Sequence, residues 1–139
     1  MELYIKQKVF TFKDKYDVFN EMQELVYHVK GELFGWGAKI HLYDMGGNEL
    51  YYIRQKVFAF MPEYTVYQGE SFRARIKKQL TFLRPKIKVE SDSGNYEITG
   101  NIMDMDFMIL RDSQVLGEIH KKWLSWGDTY QLIIYDPKD

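Results

Sequence analysis

The chain contains no cysteine, which excludes disulfides, thiolate metal sites and a cysteine nucleophile together. Only 3 prolines occur in 139 residues, so little of the backbone is barred from regular pairing by a missing N–H. No apolar run approaches the roughly 18 residues that a membrane-spanning helix needs. The formal charge of −1 excludes a global attraction to nucleic acid or anionic membranes, and any such binding would need a local patch. The opening Met1-Glu2-Leu3-Tyr4 lacks the basic-then-apolar layout of a signal peptide. From these absences a soluble, cytoplasmic protein is expected.

Aromatic residues are abundant instead, with 11 Tyr, 9 Phe and 3 Trp. A hydrophobic fraction of 45% points to a folded globule rather than a disordered chain. Flat rings and branched side chains favour strands, because they pack well on a pleated surface. The length suits one domain, residues 1–139, around a single core. No linker or composition break divides it.

A repeat organises the first half. Tyr4-Ile5-Lys6-Gln7-Lys8-Val9-Phe10-Thr11-Phe12 recurs as Tyr52-Ile53-Arg54-Gln55-Lys56-Val57-Phe58-Ala59-Phe60, 48 residues later. The register continues without a gap, matching Tyr16 with Tyr64, Val18 with Val66 and Phe19 with Tyr67. A duplicated hairpin unit, residues 4–19 and 52–67, is preferred over two merely similar strands. In each copy Ile, Gln and Val alternate with Lys or Arg, so one face is charged and wet.

The same period-2 pattern marks Leu25–Leu33, Ala38–Tyr43, Phe72–Leu80, Lys86–Glu90, Tyr96–Thr99, Phe107–Leu110, Val115–Lys121 and Thr129–Tyr135 as strands. Turns are expected at Met45-Gly46-Gly47-Asn48, Asp92-Ser93-Gly94-Asn95 and Arg111-Asp112-Ser113-Gln114. Residues 16–33 also fit a helical stripe. The second copy favours strand, turn, strand there, because Val66 runs into Gln68-Gly69-Glu70. Many short strands at close spacing predict an all-β barrel or sandwich.

The most specific pattern lies between residues 96 and 135. It runs through Tyr96-Glu97-Ile98-Thr99-Gly100-Asn101, Phe107-Met108-Ile109 and Gly117-Glu118-Ile119-His120-Lys121-Lys122-Trp123 to Ser125-Trp126-Gly127-Asp128-Thr129-Tyr130. This resembles the LURP-one-related family, whose fold is similar to the tubby C-terminal domain and the phospholipid scramblases. The Gln-Lys-Val-Phe strand and the segment from Ala74 to Lys88 agree with it. The resemblance implies a twelve-stranded, mostly antiparallel closed barrel around a central apolar helix near the C-terminus. Here the sequence departs from the family, reaching Tyr135-Asp136-Pro137-Lys138-Asp139 where that helix would begin. A barrel of that width is not easily filled by wall side chains alone. An empty apolar lumen would cost roughly 20 cal/mol per Å² of cavity surface. A truncated or split chain, another chain, a ligand or a rearrangement would each answer the problem.

The strongest charge feature spans residues 72–89, with no acidic residue between Glu70 and Glu90. Arg73, Arg75 and Lys77 share one face of a strand, and Lys86 and Lys88 share a face of the next, with Arg84 between the two strands. Paired, they would anchor phosphate groups. Tubby-like domains bind phosphoinositide headgroups through basic residues on a strand pair, which the resemblance extends only as a class. The competing reading is a solvated face balanced by nearby acidic strands. His28, His41 and His120 lack metal-ligand spacing, and packing or exposure is expected of them rather than catalysis. Asp104 and Asp106 lack a calcium loop and are read as structural. Trp123, Trp126, Gly127 and Asp128 are expected to form an aromatic turn, with Trp36 at another aromatic corner.

No Walker loop, Gly-x-Gly-x-x-Gly, Gly-x-Ser-x-Gly or His-Glu-x-x-His occurs. The expected function is a non-enzymatic binding module with no cofactor or metal, taking an anionic lipid headgroup or another anionic ligand. The alternative is a protein-interaction scaffold whose barrel accepts a helix or peptide. Nucleic acid is disfavoured by the balanced charge.

Overall fold

The computed structural model describes residues 1–7, 14–32, 37–57, 61–79, 86–101, 106–124 and 127–135. They form twelve strands: β1 Glu2–Gln7, β2 Asp14–Phe19, β3 Leu25–Glu32, β4 Lys39–Asp44, β5 Glu49–Gln55 and β6 Glu63–Gln68 come first. The second half supplies β7 Ser71–Gln79, β8 Lys86–Ser91, β9 Gly94–Asn101, β10 Asp106–Arg111, β11 Gln114–Leu124 and β12 Gly127–Ile134. There is no helix among the described residues. Residues 16–33 are strand, turn, strand, and Asn20 builds the turn. Its Oδ1 accepts from the N–H groups of Met22 and Glu24, both at 2.9 Å.

Each strand pairs antiparallel with its sequence neighbours, and β1 closes the barrel against β12. At the seam the Met1 amine donates to the Ile134 carbonyl at 2.9 Å, and the Ile134 N–H donates to the Met1 carbonyl at 2.8 Å. Closure leaves no unpaired sheet edge, the usual template for aggregation.

The repeat is preserved in the pairing. Tyr4, Ile5, Lys6 and Gln7 lie opposite Phe19, Val18, Asp17 and Tyr16. Tyr52, Ile53, Arg54 and Gln55 lie opposite Tyr67, Val66, Thr65 and Tyr64. The match extends one strand further, because a bulge follows Val18 against β3 and another follows Val66 against β7. A third bulge follows Ile109 against β11, where Ile98, Ile109 and Gly117 form the corresponding row. The first two four-strand stretches, β1–β4 and β5–β8, thus share sequence and pairing, and the last shares only the place of this bulge, while a further bulge between Leu42 and Tyr43 against β5 has no counterpart.

Alternation sorts the side chains onto two faces. Lys6, Asp17, His28, Arg54, Arg75 and Lys77 lie on the charged outer face. Ile5, Val18, Ile53, Val66, Ile98 and Ile109 alternate with that set and line the interior. Among the described residues only Val18, Ala38 and Ala74 are buried hydrophobics, and no large side chain is fully buried.

Candidate functional site

The cations of β7 and β8 do come together on the outer wall, but four of them meet carboxylates there. The bulge at Arg73 takes it out of the alternation that Arg75 and Lys77 keep. Its guanidinium donates to Asp92 Oδ2 at 2.7 Å and Gln68 Oε1 at 3.0 Å. Arg75 lies 3.2 Å from Glu63, Lys77 3.8 Å from Glu90 and Lys86 3.5 Å from Glu97. These partners come from β6, β8, β9 and the β8–β9 turn, out of sight of a reading confined to residues 72–89. Exposed pairs of this kind contribute about 0–1 kcal/mol each, so they neutralise charge more than they stabilise the fold. Lys88 differs. It faces Lys77 across β7–β8 and Glu97 across β8–β9, and no ion pair involves it among the described residues. Arg84 lies outside the described residues.

The three histidines are cross-strand pairing groups on the outer face. His28 Nδ1 is 2.9 Å from Asp17, His41 is hydrogen-bonded to Glu49, and His120 Nδ1 is 2.7 Å from Asp106. No cluster of three metal-ligating side chains exists among the described residues. Asp106 opens β10; Asp104, Trp36 and Trp126 lie outside the described residues. Gly127 and Asp128 begin β12, opposite Leu124 and Trp123, so the β11–β12 connection is confined to residues 125–126.

The perturbed acids are scattered, with Asp44 in the β4–β5 turn, Tyr4 within β1 and Tyr135 just beyond β12. Asp44 caps the β4–β5 turn: its Oδ1 accepts from the Asn48 N–H at 2.8 Å and its Oδ2 from the Asn48 amide at 3.1 Å. Those bonds favour the ionised form and hold its carboxyl below the ordinary range. Tyr4 donates to Glu2 at 3.0 Å, which raises its phenol, and Glu118 does the same for Tyr135.

One outer feature was not legible in the sequence. His41, Tyr52, Tyr67 and Phe72 form a row across β4 to β7, with ring centroids 4.7, 6.2 and 6.4 Å apart. These residues are far apart in the chain, and only the strand register reveals the row.

The interior is the other candidate site. Its wall presents Ile40 and Leu42 from β4, Ile87 and Val89 from β8, and Ile119 and Leu132 from β11 and β12, all partly exposed. Such a lumen can hold apolar matter and offers no convergent acid, base or nucleophile among the described residues.

A closed wall of twelve antiparallel strands, charged outside and apolar inside, with no helix among the described residues, defines a β-barrel protein. The comparisons narrow this further. The LURP-one-related family model matches residues 1–139, and the chain belongs to that family. It is 34% identical over 140 residues to YxjI of Bacillus subtilis (strain 168), covering 100% of this chain and 85% of that relative. An X-ray structure of an Arabidopsis thaliana protein shares the fold at TM-score 0.61 and 12% identity, covering 96% of this chain and 80% of the other. No helix among the described residues is long and apolar enough to cross a membrane.

Proposed function

We infer that the protein is a binding module without catalytic chemistry of its own, and that its barrel takes an apolar helix or peptide into the lumen. The observation that carries this is the state of the inner wall. A chain with 45% hydrophobic residues buries no large side chain fully among its described residues. An apolar surface left this open gains free energy, about 25 cal/mol per Å², from any occupant that removes it from water. A synthetic apolar helix in excess tests the reading. At 100 times its dissociation constant it should stabilise the barrel by about 2.7 kcal/mol, a rise in melting temperature on the order of 8 °C for a domain of this size. An unchanged melting temperature across a series of helix lengths contradicts it.

A second reading, an anionic ligand such as a lipid headgroup on β7–β8, is favoured by one specific observation. Lys77 and Lys88 sit directly opposite each other, a placement of like charges that ordinarily costs stability. A phosphate between them would relieve the repulsion, with Arg75 and Lys86 flanking and Arg73 and Arg84 as further candidates. Sedimentation with phosphatidylserine vesicles at low salt should show binding that Lys77→Glu with Lys88→Glu abolishes. Wild-type protein left in the supernatant would end the lipid form of this reading. A labelled oligonucleotide is expected not to bind, consistent with the balanced charge.

A further inference from the structure

The aromatic row on the outer wall is longer than its rings. Lys15 of β2 lies opposite Lys30 of β3, and Lys30 lies opposite His41. From there the pairing carries on through Tyr52 and Tyr67 to Phe72. Alternation puts all of them on the outer face, between inward-facing neighbours such as Val29, Ile53 and Val66. With strands about 4.8 Å apart, a row from β2 to β7 is on the order of 24 Å long. Successive ring planes along His41, Tyr52 and Tyr67 differ by only 27° and 26°, and Phe72 meets Tyr67 edge-on. Phe72 is 49% exposed at the end of the row.

The polar groups along this row are left without protein partners. Tyr4 is the counterpart of Tyr52 in the repeat, and its hydroxyl donates to Glu2 at 3.0 Å and accepts from Gln131 at 3.2 Å. No hydrogen bond reaches the hydroxyl of Tyr52 or Tyr67 among the described residues. Lys15 faces Lys30 directly, and beside the row Lys39 faces Arg54. Like charges so placed cost stability, and none of the four forms an ion pair among the described residues. The carboxylates beside the row are already engaged: Asp17 by His28, Glu49 by His41 and Glu63 by Arg75. What the row offers a partner is therefore ring surface, hydroxyls and ammonium groups, all able to donate, with no free carboxylate to accept.

That inventory selects the partner. A sugar brings donors that would find no carboxylate here. A nucleic acid carries a phosphate at every step, including over Tyr67 and Phe72, where Arg75 is already paired with Glu63. A flat bilayer cannot follow a row that bends with the wall of a closed barrel. A proline-rich chain in the polyproline II conformation is the complement. Its carbonyls accept, its prolines have no N–H to satisfy, and its pyrrolidine rings pack on aromatic side chains. At about 3.1 Å per residue, about eight residues would span the row. We propose that this row binds a proline-rich segment of a partner protein, acidic at the end that lies over Lys15 and Lys30.

The test is an amide NMR titration at low salt with Glu-Glu-Pro-Pro-Ala-Pro-Pro-Ala and with the reversed sequence, Ala-Pro-Pro-Ala-Pro-Pro-Glu-Glu, because such a helix can dock in either direction. At least one should give saturable shifts at Lys30, Tyr52 and Tyr67, with a Kd on the order of 0.1 mM. Alanine in place of all four prolines should weaken binding about tenfold by removing the preformed helix. Tyr52→Phe with Tyr67→Phe keeps the rings, and should weaken it about fivefold or more with the melt unchanged. Lys15→Glu with Lys30→Glu keeps a like-charge pair, and should reverse the preference toward Lys-Lys-Pro-Pro-Ala-Pro-Pro-Ala. None of these readouts depends on what the lumen holds. No saturable shift with either acidic peptide overturns the proposal. So does equal affinity for the alanine peptide, undiminished binding in both double variants, or tighter binding of single-stranded oligo-dT at the same amides.

Discussion

Asp44 shows how a single side chain carries a pH dependence here. Its ordinary pKa is 3.8, and the Asn48 hydrogen bonds lower the folded value below it. A depressed carboxyl contributes stability that is present above the unfolded value and is lost as pH falls through the folded one. Asp44→Ala should therefore melt a few degrees lower than wild type at neutral pH. The gap should close as the pH drops below the ordinary carboxylate value, which parallel thermal melts from neutral to strongly acidic pH would read. Gly100 and Gly117 matter for a different reason. A Cβ at Gly100 would run into the Asp106 carbonyl and the Phe107 ring, and one at Gly117 into the Ile133 carbonyl. Gly100→Ala and Gly117→Ala should each cost about 3 kcal/mol in urea unfolding, at the upper end for overpacking. Gly69→Ala has open space around it and only a positive φ of 60° to strain; about 1 kcal/mol is expected there.

Among the elements, the strands were largely legible because alternation and turn residues coincide. Lys86-Ile87-Lys88-Val89 reads as one wet and one dry face, and Asp92-Ser93 marks where it turns. The ambiguous stretch from Tyr16 was resolved by its copy, whose partner runs into Gly69. Pairing across the barrel was not legible. Nothing in residues 72–89 announces Glu63, Glu97 or Asp92 as neighbours, since each arrives from another strand or turn. The bulge shared by β10–β11 was not legible either, because no sequence match marks it: Tyr27, Ala74 and Gly117 hold equivalent places in the pairing. Sequence equivalence does not bring equal burial. Val18 is buried at 4% exposure, whereas its counterpart Val66 stays partly exposed. Val18→Ala should cost about 2 kcal/mol and Val66→Ala about half that, since the cost follows the apolar area already withdrawn from water. Denaturant midpoints of the two variants would compare them directly.

At the scale of the whole barrel, a closed wall of paired strands surrounds an inner face on which no large side chain is fully buried among the described residues. Closure of β1 on β12 satisfies the sheet and holds the cylinder's shape. Hydrophobic burial, usually the dominant favourable term in folding, is partial on the inner face of the described strands. The family resemblance anticipated a barrel with something at its centre, and the wall is built as anticipated. The absence of cysteine gives the most direct access to the inner face. A single cysteine at Ile98, on the inner face, can be compared with one at Met108, on the outer face and 45% exposed. If water reaches the inner wall, a small charged thiol reagent should modify both native variants at rates within about tenfold, and an apolar helix in the lumen should protect only the inner one. A cysteine at position 98 that reacts only at the rate of global unfolding, orders of magnitude slower, would contradict the open lumen and the binding role drawn from it.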